Sequence, residues 1–304
     1  MIKKEIRNLQ ASIRQRLENE ARKAGRPFNE VLHYYGMERF LYRLSKSQHA
    51  DKFVLKGALL LVAWRVPQTR ATRDIDFLGQ LSNRLPTIAS VFRNVCLQEV
   101  EPDGLAFDPQ SITSTRIAEG ADYEGVRVKL RGHLGSARLF LQVDVGFGDV
   151  IVPAPILGEY PTLLDLPAPR LHTYTRETTI AEKFEAMTKL GILNSRMKDF
   201  FDIWLLSRQF DFDGETLREA IAKTFALRGT QIQLHPEAWS ARFIEEPRRI
   251  AQWRAFCRNT RLNQGATDFS DVVREVAGFL APVAQALVEH KAFKYRWHPP
   301  GPWA

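Results

Sequence analysis

Apolar residues recur at helical spacing near the beginning of the chain. Those between Ile6 and Leu17 are three or four positions apart, with Arg and Lys between them, which predicts an amphipathic helix over about 3–24. Gly25-Arg26-Pro27 ends this helix, and a second one is predicted from Asn29 to about Ser45. We therefore expect residues 1–50 to form two basic helices that pack on a core.

The pattern then changes to short β-like runs and returns to helical spacing in the second half. Strands are predicted around 53–55, 72–78 and within 105–149, where Gly135-Ser136 forms the turn of a hairpin. After a proline-rich connection, helices are predicted over 179–190, 195–209, 215–226, 237–257 and 269–290. The expected fold class is α+β: N-terminal helices over 1–50, a mixed-sheet core over 51–170 and a helical domain over 171–304. The proline-rich end near 298–304 is expected to be disordered.

Composition narrows the class of protein. The chain has 304 residues, of which 44% are hydrophobic and 26% charged, as in ordinary globular proteins. No apolar run approaches the ~20 residues of a membrane span, and no apolar export segment begins the chain. Cys96 and Cys257 lie far apart, which excludes a disulfide scaffold. We therefore expect a cytoplasmic protein without a membrane segment.

The positive charge is concentrated at the two ends of the chain. The net charge is +8; residues 1–50 carry 11 basic and 5 acidic side chains, and residues 240–304 carry 10 and 6. The segment between them carries 22 basic and 24 acidic side chains. Basic ends attract polyanions such as nucleic acid, although solvated helix faces would have the same composition.

Two aspartates lie two residues apart in a predicted strand, Arg73-Asp74-Ile75-Asp76-Phe77. Since alternate residues of a strand point to the same side, Asp74 and Asp76 share a face. Two such carboxylates repel each other unless a cation lies between them, and Mg²⁺ with oxygen ligands suits the pair. Asp144, on a later strand, is a possible third ligand. The sequence thus favours a metal site over a solvated surface pair.

Residues around the aspartates suggest a bound nucleotide. The turn Lys56-Gly57 precedes a short helix, whose first N–H groups can receive phosphate. Three carboxylates on adjacent strands can hold a metal against a nucleoside triphosphate and lower the pKa of an attacking hydroxyl.

The second half contributes a lysine and two further aspartates. Lys183 has apolar neighbours at helical spacing, so either its ammonium extends to solvent or it is a cation directed at phosphate. In the next helix Asp199 and Asp202 share one side, where Arg196 and Lys198 are at pairing distance. A structural salt network is therefore the alternative to a catalytic role.

The ordered set of motifs resembles the AbiEii/AbiGii toxin family, whose members are nucleotidyltransferase-like proteins of bacterial toxin–antitoxin and phage-defence systems. The resemblance runs from about residue 50 to 210 and depends on the order and combination of the motifs. These are Lys56-Gly57, Arg73-Asp74-Ile75-Asp76, the segment from Val143-Asp144 to Asp149, Glu182-Lys183, and the segment from Arg196 to Asp202.

The resemblance implies a nucleotidyltransferase core of the polymerase-β type followed by a helical domain. It implies that catalysis depends on the metal-binding pair Asp74 and Asp76, the third carboxylate Asp144, the helical lysine Lys183 and the later aspartate Asp199. It also implies a separate antitoxin protein, often a DNA-binding repressor. The residues expected to face the nucleotide are Lys56, Gly57, Ala58 and Arg73. Nucleotidyltransferases usually have serine in place of Ala58, and its absence removes one phosphate contact.

We therefore expect a Mg²⁺-dependent nucleotidyltransferase toxin of the EC 2.7.7 type. It would transfer a nucleotide from an NTP to RNA, with the tRNA 3′ end as acceptor, and so block translation. One alternative keeps this chemistry and changes the acceptor to a small-molecule or protein hydroxyl. The other is a non-catalytic regulatory protein with a vestigial aspartate pair, for which Ala58 is the best support.

Overall fold

The structure, a computed structural model, describes residues 8–66, 72–118, 124–260 and 268–304. The chain divides into two compact units. The first comprises residues 1–148 and 156–173, and the second comprises residues 149–155 and 174–304. The sequence expectation placed the corresponding boundary between residues 170 and 171.

Helices begin the first unit and make up most of the second. In the described ranges they are α1 Leu9–Lys23, α2 Phe28–Lys46, α3 Leu59–Ala63, α4 Leu85–Leu97, α5 Arg176–Leu190, α6 Met197–Gln209, α7 Gly214–Leu227, α8 Ala241–Ile244, α9 Pro247–Thr260 and α10 Phe269–Val288. The two predicted N-terminal helices are present, but α1 begins at Leu9 rather than near residue 3, and the part of the prediction over 3–7 lies outside the described residues. Asn8 begins α1, because its side chain accepts a hydrogen bond from the Ala11 N–H at 3.0 Å.

The first unit contains a mixed sheet. Its strands are β1 Phe53–Lys56, β2 Asp74–Gly79, β3 Leu105–Ala118, β4 Glu124–Leu134, β5 Ala137–Phe147, β6 Ile156–Glu159 and β7 Arg170–Thr173. They are arranged in the order β3-β4-β5-β2-β1-β7-β6. The β2–β5 and β1–β7 pairs are parallel, and the other pairs are antiparallel. The expected combination of a mixed sheet with a helical half is confirmed.

One face of this sheet is buried, and that burial determines which side chains face solvent. On β5 the residues Leu139, Leu141, Val143 and Val145 are buried, while the residues between them are partly or fully exposed. Helix α2 covers the buried face: a Cβ at Gly36 would contact the Leu139 and Leu141 side chains. Alternation along the strands therefore directs the polar residues to the opposite face.

The β4–β5 hairpin was predicted correctly. Leu134 pairs with Ala137, so Gly135 and Ser136 form a two-residue loop. Gly135 has φ +58°, the left-handed conformation that such tight hairpin turns require. The turn fixes the register of both strands, and with it the row of residues at the candidate site.

Two predicted helix limits in the second unit are wrong. α5 begins at Arg176 rather than at about residue 179, because Thr175 caps it by accepting a hydrogen bond from the Thr178 N–H. The continuous helix predicted over 237–257 is interrupted between α8 and α9. Pro247 begins α9, and a proline disfavours helical conformation in the residue before it.

The C-terminal end is packed rather than disordered. Strands β8 Phe212–Asp213 and β9 Arg296–Trp297 pair, and the Trp303 ring stacks on Phe279 at 5.5 Å between centroids. The Trp303 Nε1–H donates to the Phe279 carbonyl at 2.8 Å. The proline content suggested disorder, but two tryptophans supply enough apolar surface to hold the segment on α10. Among the described helices, none is long and apolar enough to cross a bilayer.

Candidate active site

Four charged residues form one row across the solvent-facing side of the sheet. Lys56 on β1 is paired in register with Asp76 on β2, Asp76 with Asp144 on β5, and Asp144 with Arg127 on β4. Asp74 lies two residues from Asp76 on β2, so both carboxylates are on this face. Two acidic residues are therefore neighbours in the middle of the row, with a basic residue on each side.

The turn after β1 leaves space for the Asp76 carboxylate. Gly57 has φ +73°, and a Cβ at this position would lie 2.7 Å from the Asp76 Cγ. Any other residue would therefore be strained and would also overlap the carboxylate. Ala58 is buried directly before the five-residue helix α3.

Asp144 is held by an arginine that the sequence analysis did not single out. Arg127 donates two hydrogen bonds to it, from Nε to Oδ1 at 2.8 Å and from Nη2 to Oδ2 at 2.7 Å. This bidentate geometry is the strongest that an arginine forms with a carboxylate. Gln142 Nε2 lies 3.4 Å from the same Oδ2.

The described residues contain no group of three or more acidic, histidine or cysteine side chains arranged to hold a metal ion. Asp144 is engaged with Arg127. The remaining carboxylates of the row and its neighbourhood are Asp74 and Asp76, which lie two residues apart on β2. Mg²⁺ is often bound by one or two carboxylates together with substrate phosphates. The aspartate pair fits this mode of binding, whereas Asp144 does not fit as a third ligand while it is paired with Arg127.

Helix α2 supports the beginning of β2. The Tyr34 hydroxyl accepts a hydrogen bond from the Thr72 N–H at 2.9 Å, and His33 Nε2 lies 2.8 Å from the Arg73 carbonyl oxygen. These contacts fix the backbone just before Asp74. The Arg73 side chain is exposed, so its guanidinium is accessible to a ligand.

In the second unit, Lys183 lies between the two aspartates of α6. Its Nζ is 2.8 Å from Asp199 and 2.7 Å from Asp202, and Arg196 Nε is 2.5 Å from Asp199. Burial by itself would raise the pKa of Asp199, but Lys183 and Arg196 outweigh it, so this pKa is lowered. The expected Arg196–Asp199 pair is present. Lys183 has no acidic neighbour at pairing distance on its own helix, and its partners are the two aspartates of α6.

Asp149 and Glu182, both part of the motif set, contact Arg228 in the second unit. Arg228 lies 3.0 Å from Asp149, 3.2 Å from Glu182 and 3.0 Å from Glu185. The hydroxyl of Tyr174 is 3.2 Å from both the Asp149 and Glu182 carboxylates. These acidic residues therefore join three parts of the second unit: residues 149–155, α5 and the end of α7.

The sequence contains a signal for Arg127 that could have been read. Between Val126 and Leu134, every second residue of β4 is Arg, Lys or His, and the residues between them are apolar or glycine. In a strand this alternation places all the basic side chains on one face. The pairing of Arg127 with Asp144 depends on strand register, which alternation alone does not give.

Comparison with known proteins identifies a family. The model of a family described as nucleotidyl transferase AbiEii toxin, type IV toxin–antitoxin system, matches residues 39–275. Two solved structures from Helicobacter pylori are similar, a candidate nucleotidyltransferase and JHP933, each with a TM-score of 0.48 and 14% identity. Each match covers 86% of this chain, and 98% and 94% of the respective structures. No curated protein matches.

Proposed function

The chain belongs to the nucleotidyl transferase AbiEii toxin family, and we propose that it transfers a nucleotide from an NTP to RNA, with the 3′ end of tRNA as acceptor. The observation that carries this proposal is the Asp74–Asp76 pair on the solvent face of β2, beside a turn where Gly57 leaves space for the Asp76 carboxylate. Membership of a type IV toxin–antitoxin family also implies an antitoxin partner, which we propose is a separate DNA-binding repressor.

In the proposed reaction, the terminal RNA hydroxyl attacks the α-phosphorus of the NTP. A new oxygen–phosphorus bond forms, the bond from the α-phosphorus to the bridging oxygen breaks, and pyrophosphate leaves with that electron pair. The hydroxyl proton passes to solvent. Mg²⁺, when bound, neutralises phosphate charge and lowers the pKa of the attacking hydroxyl. Catalysis would depend on positioning and electrostatics rather than on a covalent intermediate.

The residues of the site have distinct proposed roles. Asp74 and Asp76 would hold Mg²⁺, and Asp144 would become a third ligand only when its ion pair with Arg127 opens. Lys183 and Asp199 stay proposed catalytic residues because their motifs match those of the family; in the structure they are paired with each other, Lys183 with 13% and Asp199 with 0% side-chain exposure. The proposed phosphate contacts are Lys56, Gly57, Ala58 and Arg73.

The experiment compares the wild-type protein with Asp76→Asn and with Asp51→Asn. Asp51 is a matched control, because its side chain is 94% exposed and the substitution changes the charge by the same amount. Each protein is incubated with Mg²⁺, total tRNA and each α-labelled NTP in turn. We expect labelled RNA from the wild type and from Asp51→Asn, and a loss of roughly 100-fold or more in Asp76→Asn. Circular dichroism checks that the variants are folded.

Each other outcome selects an alternative. Label on a protein or small molecule but not on RNA would favour a different acceptor hydroxyl. The non-catalytic regulatory protein would be favoured if no nucleotide gives label and if expression of the protein in cells is equally toxic for the wild type and Asp76→Asn. Either result would remove RNA nucleotidyl transfer as the function.

A further inference from the structure

The solvent face of the β4–β5 hairpin carries a stripe of basic residues around one exposed aromatic ring. The register pairs Lys129 with Gln142, Arg131 with Phe140, and His133 with Arg138. We call the set of Lys129, Arg131, His133, Arg138 and Phe140 the hairpin stripe. It begins at the next pair on this face beyond Arg127–Asp144 and extends away from the aspartates, so its far end at Arg138 lies about 20 Å along β5 from Asp144 at roughly 3.3 Å per residue.

The charges of the hairpin stripe are largely uncompensated. Within the described part of the chain, Lys129, His133 and Arg138 form no ion pair or hydrogen bond through their side chains, and all three are exposed. Arg131 is 3.5 Å from Asp108, a long contact between two exposed groups. The stripe is therefore a positive surface whose charges are available to a polyanion.

Phe140 is the apolar part of this surface. Its side chain is 64% exposed, and in the described ranges no aromatic ring lies against it. A phenyl ring on a rigid strand, with cations on the neighbouring strand, suits a flat partner that carries negative charge. Unpaired nucleotides have this chemistry, because their bases stack on aromatic rings while their phosphates contact Lys and Arg.

We propose that the hairpin stripe binds the last unpaired nucleotides of the acceptor RNA, with one base stacked on Phe140 and the phosphates against Lys129, Arg131 and Arg138. This proposal rests on the proposed function, because it assigns the terminal hydroxyl of that RNA to the aspartate end of the stripe. It favours a single strand, since the bases of a duplex are already stacked on each other and cannot use the ring.

Two basic side chains of the N-terminal helix are engaged within that helix. Arg14 is paired with Glu18 at 3.0 Å, and Arg22 donates to Asn19 at 2.7 Å. Both residues are on α1, which packs on α2 on the buried side of the sheet. We therefore assign the RNA contact to the hairpin stripe and use α1 as the comparison surface.

The test measures binding of the full-length protein to a labelled RNA of about 12 nucleotides that ends in CCA, by fluorescence anisotropy without NTP. The variants are Phe140→Ala, Phe140→Trp and the double variant Lys129→Glu/Arg138→Glu. The matched controls are Leu97→Ala, at a 65% exposed residue of α4, and Arg14→Glu/Arg22→Glu, which changes the net charge equally. A blunt-ended duplex RNA of the same length is measured in parallel.

We expect Phe140→Ala to weaken single-strand binding about 10-fold, and Phe140→Trp to bind as tightly as the wild type. The hairpin double variant should weaken binding more than about 10-fold. It should also make the dependence on log salt shallower by about 1.4, because each phosphate that the protein no longer neutralises reduces the slope by about 0.7. The Leu97 and α1 controls should bind within about twofold of the wild type, and duplex RNA should bind more weakly to the wild type.

The proposal would be overturned if Phe140→Ala and Lys129→Glu/Arg138→Glu both bind RNA as tightly as the wild type. It would also be overturned if the α1 control loses as much affinity as the hairpin double variant, or if the wild type does not bind RNA. The result is separable from that of the transfer assay. RNA binding that depends on Phe140 without transfer of label would refute the proposed function and leave the stripe in place. If Phe140→Ala binds RNA and transfers nucleotide to it as well as the wild type does, the stripe would be refuted and the proposed function would remain.

Discussion

Gly57 has φ +73°, and a Cβ there would overlap the Asp76 carboxylate. Gly25 provides a comparison, since it has φ +62° with no atom within 4 Å of an added Cβ. We expect Gly57→Ala and Gly25→Ala each to lose about 1–2 kcal/mol of unfolding free energy from the left-handed backbone. Only Gly57→Ala should also displace Asp76 and abolish nucleotidyl transfer.

Urea denaturation and the transfer assay, applied to both variants, check this prediction. A Gly57→Ala protein with full transfer activity would show that Asp76 does not need the space above the turn. A loss of activity in Gly25→Ala would show that backbone strain alone explains the effect.

Single residues also show what alternation along a strand can predict. That Asp74 and Asp76 share a face follows from their spacing alone. The partner of Asp144 does not follow, because Arg127 lies 17 positions away and reaches it only through the β4–β5 register. The part of the site within one strand was therefore predictable, and the part between strands was not.

Among the elements, helix α2 holds the segment that leads into β7 through a buried ion pair. Glu38 and Arg39 are 2.9 Å apart and almost fully buried; Glu38 accepts a hydrogen bond from the Leu163 N–H at 2.6 Å, and Arg39 donates to the Pro167 carbonyl at 2.7 Å. Burial raises the pKa of Glu38 to about 7, although Arg39 and the Leu163 N–H act to lower it.

This raised pKa predicts a pH dependence of stability. Between about pH 4.5 and 7 the folded protein binds more protons at Glu38 than the unfolded chain, so the unfolding free energy falls as the pH rises through this window. We expect Glu38→Gln to remove up to about 3 kcal/mol of that decline. Urea denaturation at several pH values from about 5 to 8 measures it, with exposed Glu159→Gln as control. Parallel wild-type and Glu38→Gln curves would contradict the prediction.

Element limits were predictable where one local signal decided them. The Gly135 turn involves only a few consecutive residues. For α5, the predicted start near residue 179 was wrong, and the structure uses Thr175 as the cap, whose hydroxyl also donates to the Val152 carbonyl at 2.9 Å. That second contact is distant in sequence, so the start of α5 depended on tertiary structure.

At the scale of the whole molecule, the division of the chain assigns residues 149–155 to the second unit. Arg228 contributes to this arrangement by binding Asp149 together with Glu182 and Glu185 of α5. Burial would lower the pKa of the guanidinium, but Glu182, Asp149 and Glu185 outweigh it and raise the pKa. The arginine is therefore charged and compensates several carboxylates at once.

Arg228→Met should destabilise the protein by about 3–5 kcal/mol, because it leaves buried carboxylates without their cation. Arg218→Met is the matched control on α7: its pair with Glu215 is more exposed, so we expect a loss of about 0–1 kcal/mol. Urea denaturation of both variants measures the difference. Equal stability of the two variants would show that the Arg228 cluster is no more important than a surface pair.

The sequence by itself determined the N-terminal helices, the β4–β5 hairpin, the helical character of the second half, the shared face of Asp74 and Asp76, and the family, since all of these are recorded in local spacing and in the order of motifs. Only the tertiary structure decided that Arg127 binds Asp144, that Lys183 lies between Asp199 and Asp202, and that Phe140 stands exposed among cations. The physical reason is range: periodicity acts over a few residues, whereas ion pairs and exposed surfaces depend on strand register and helix packing between distant segments.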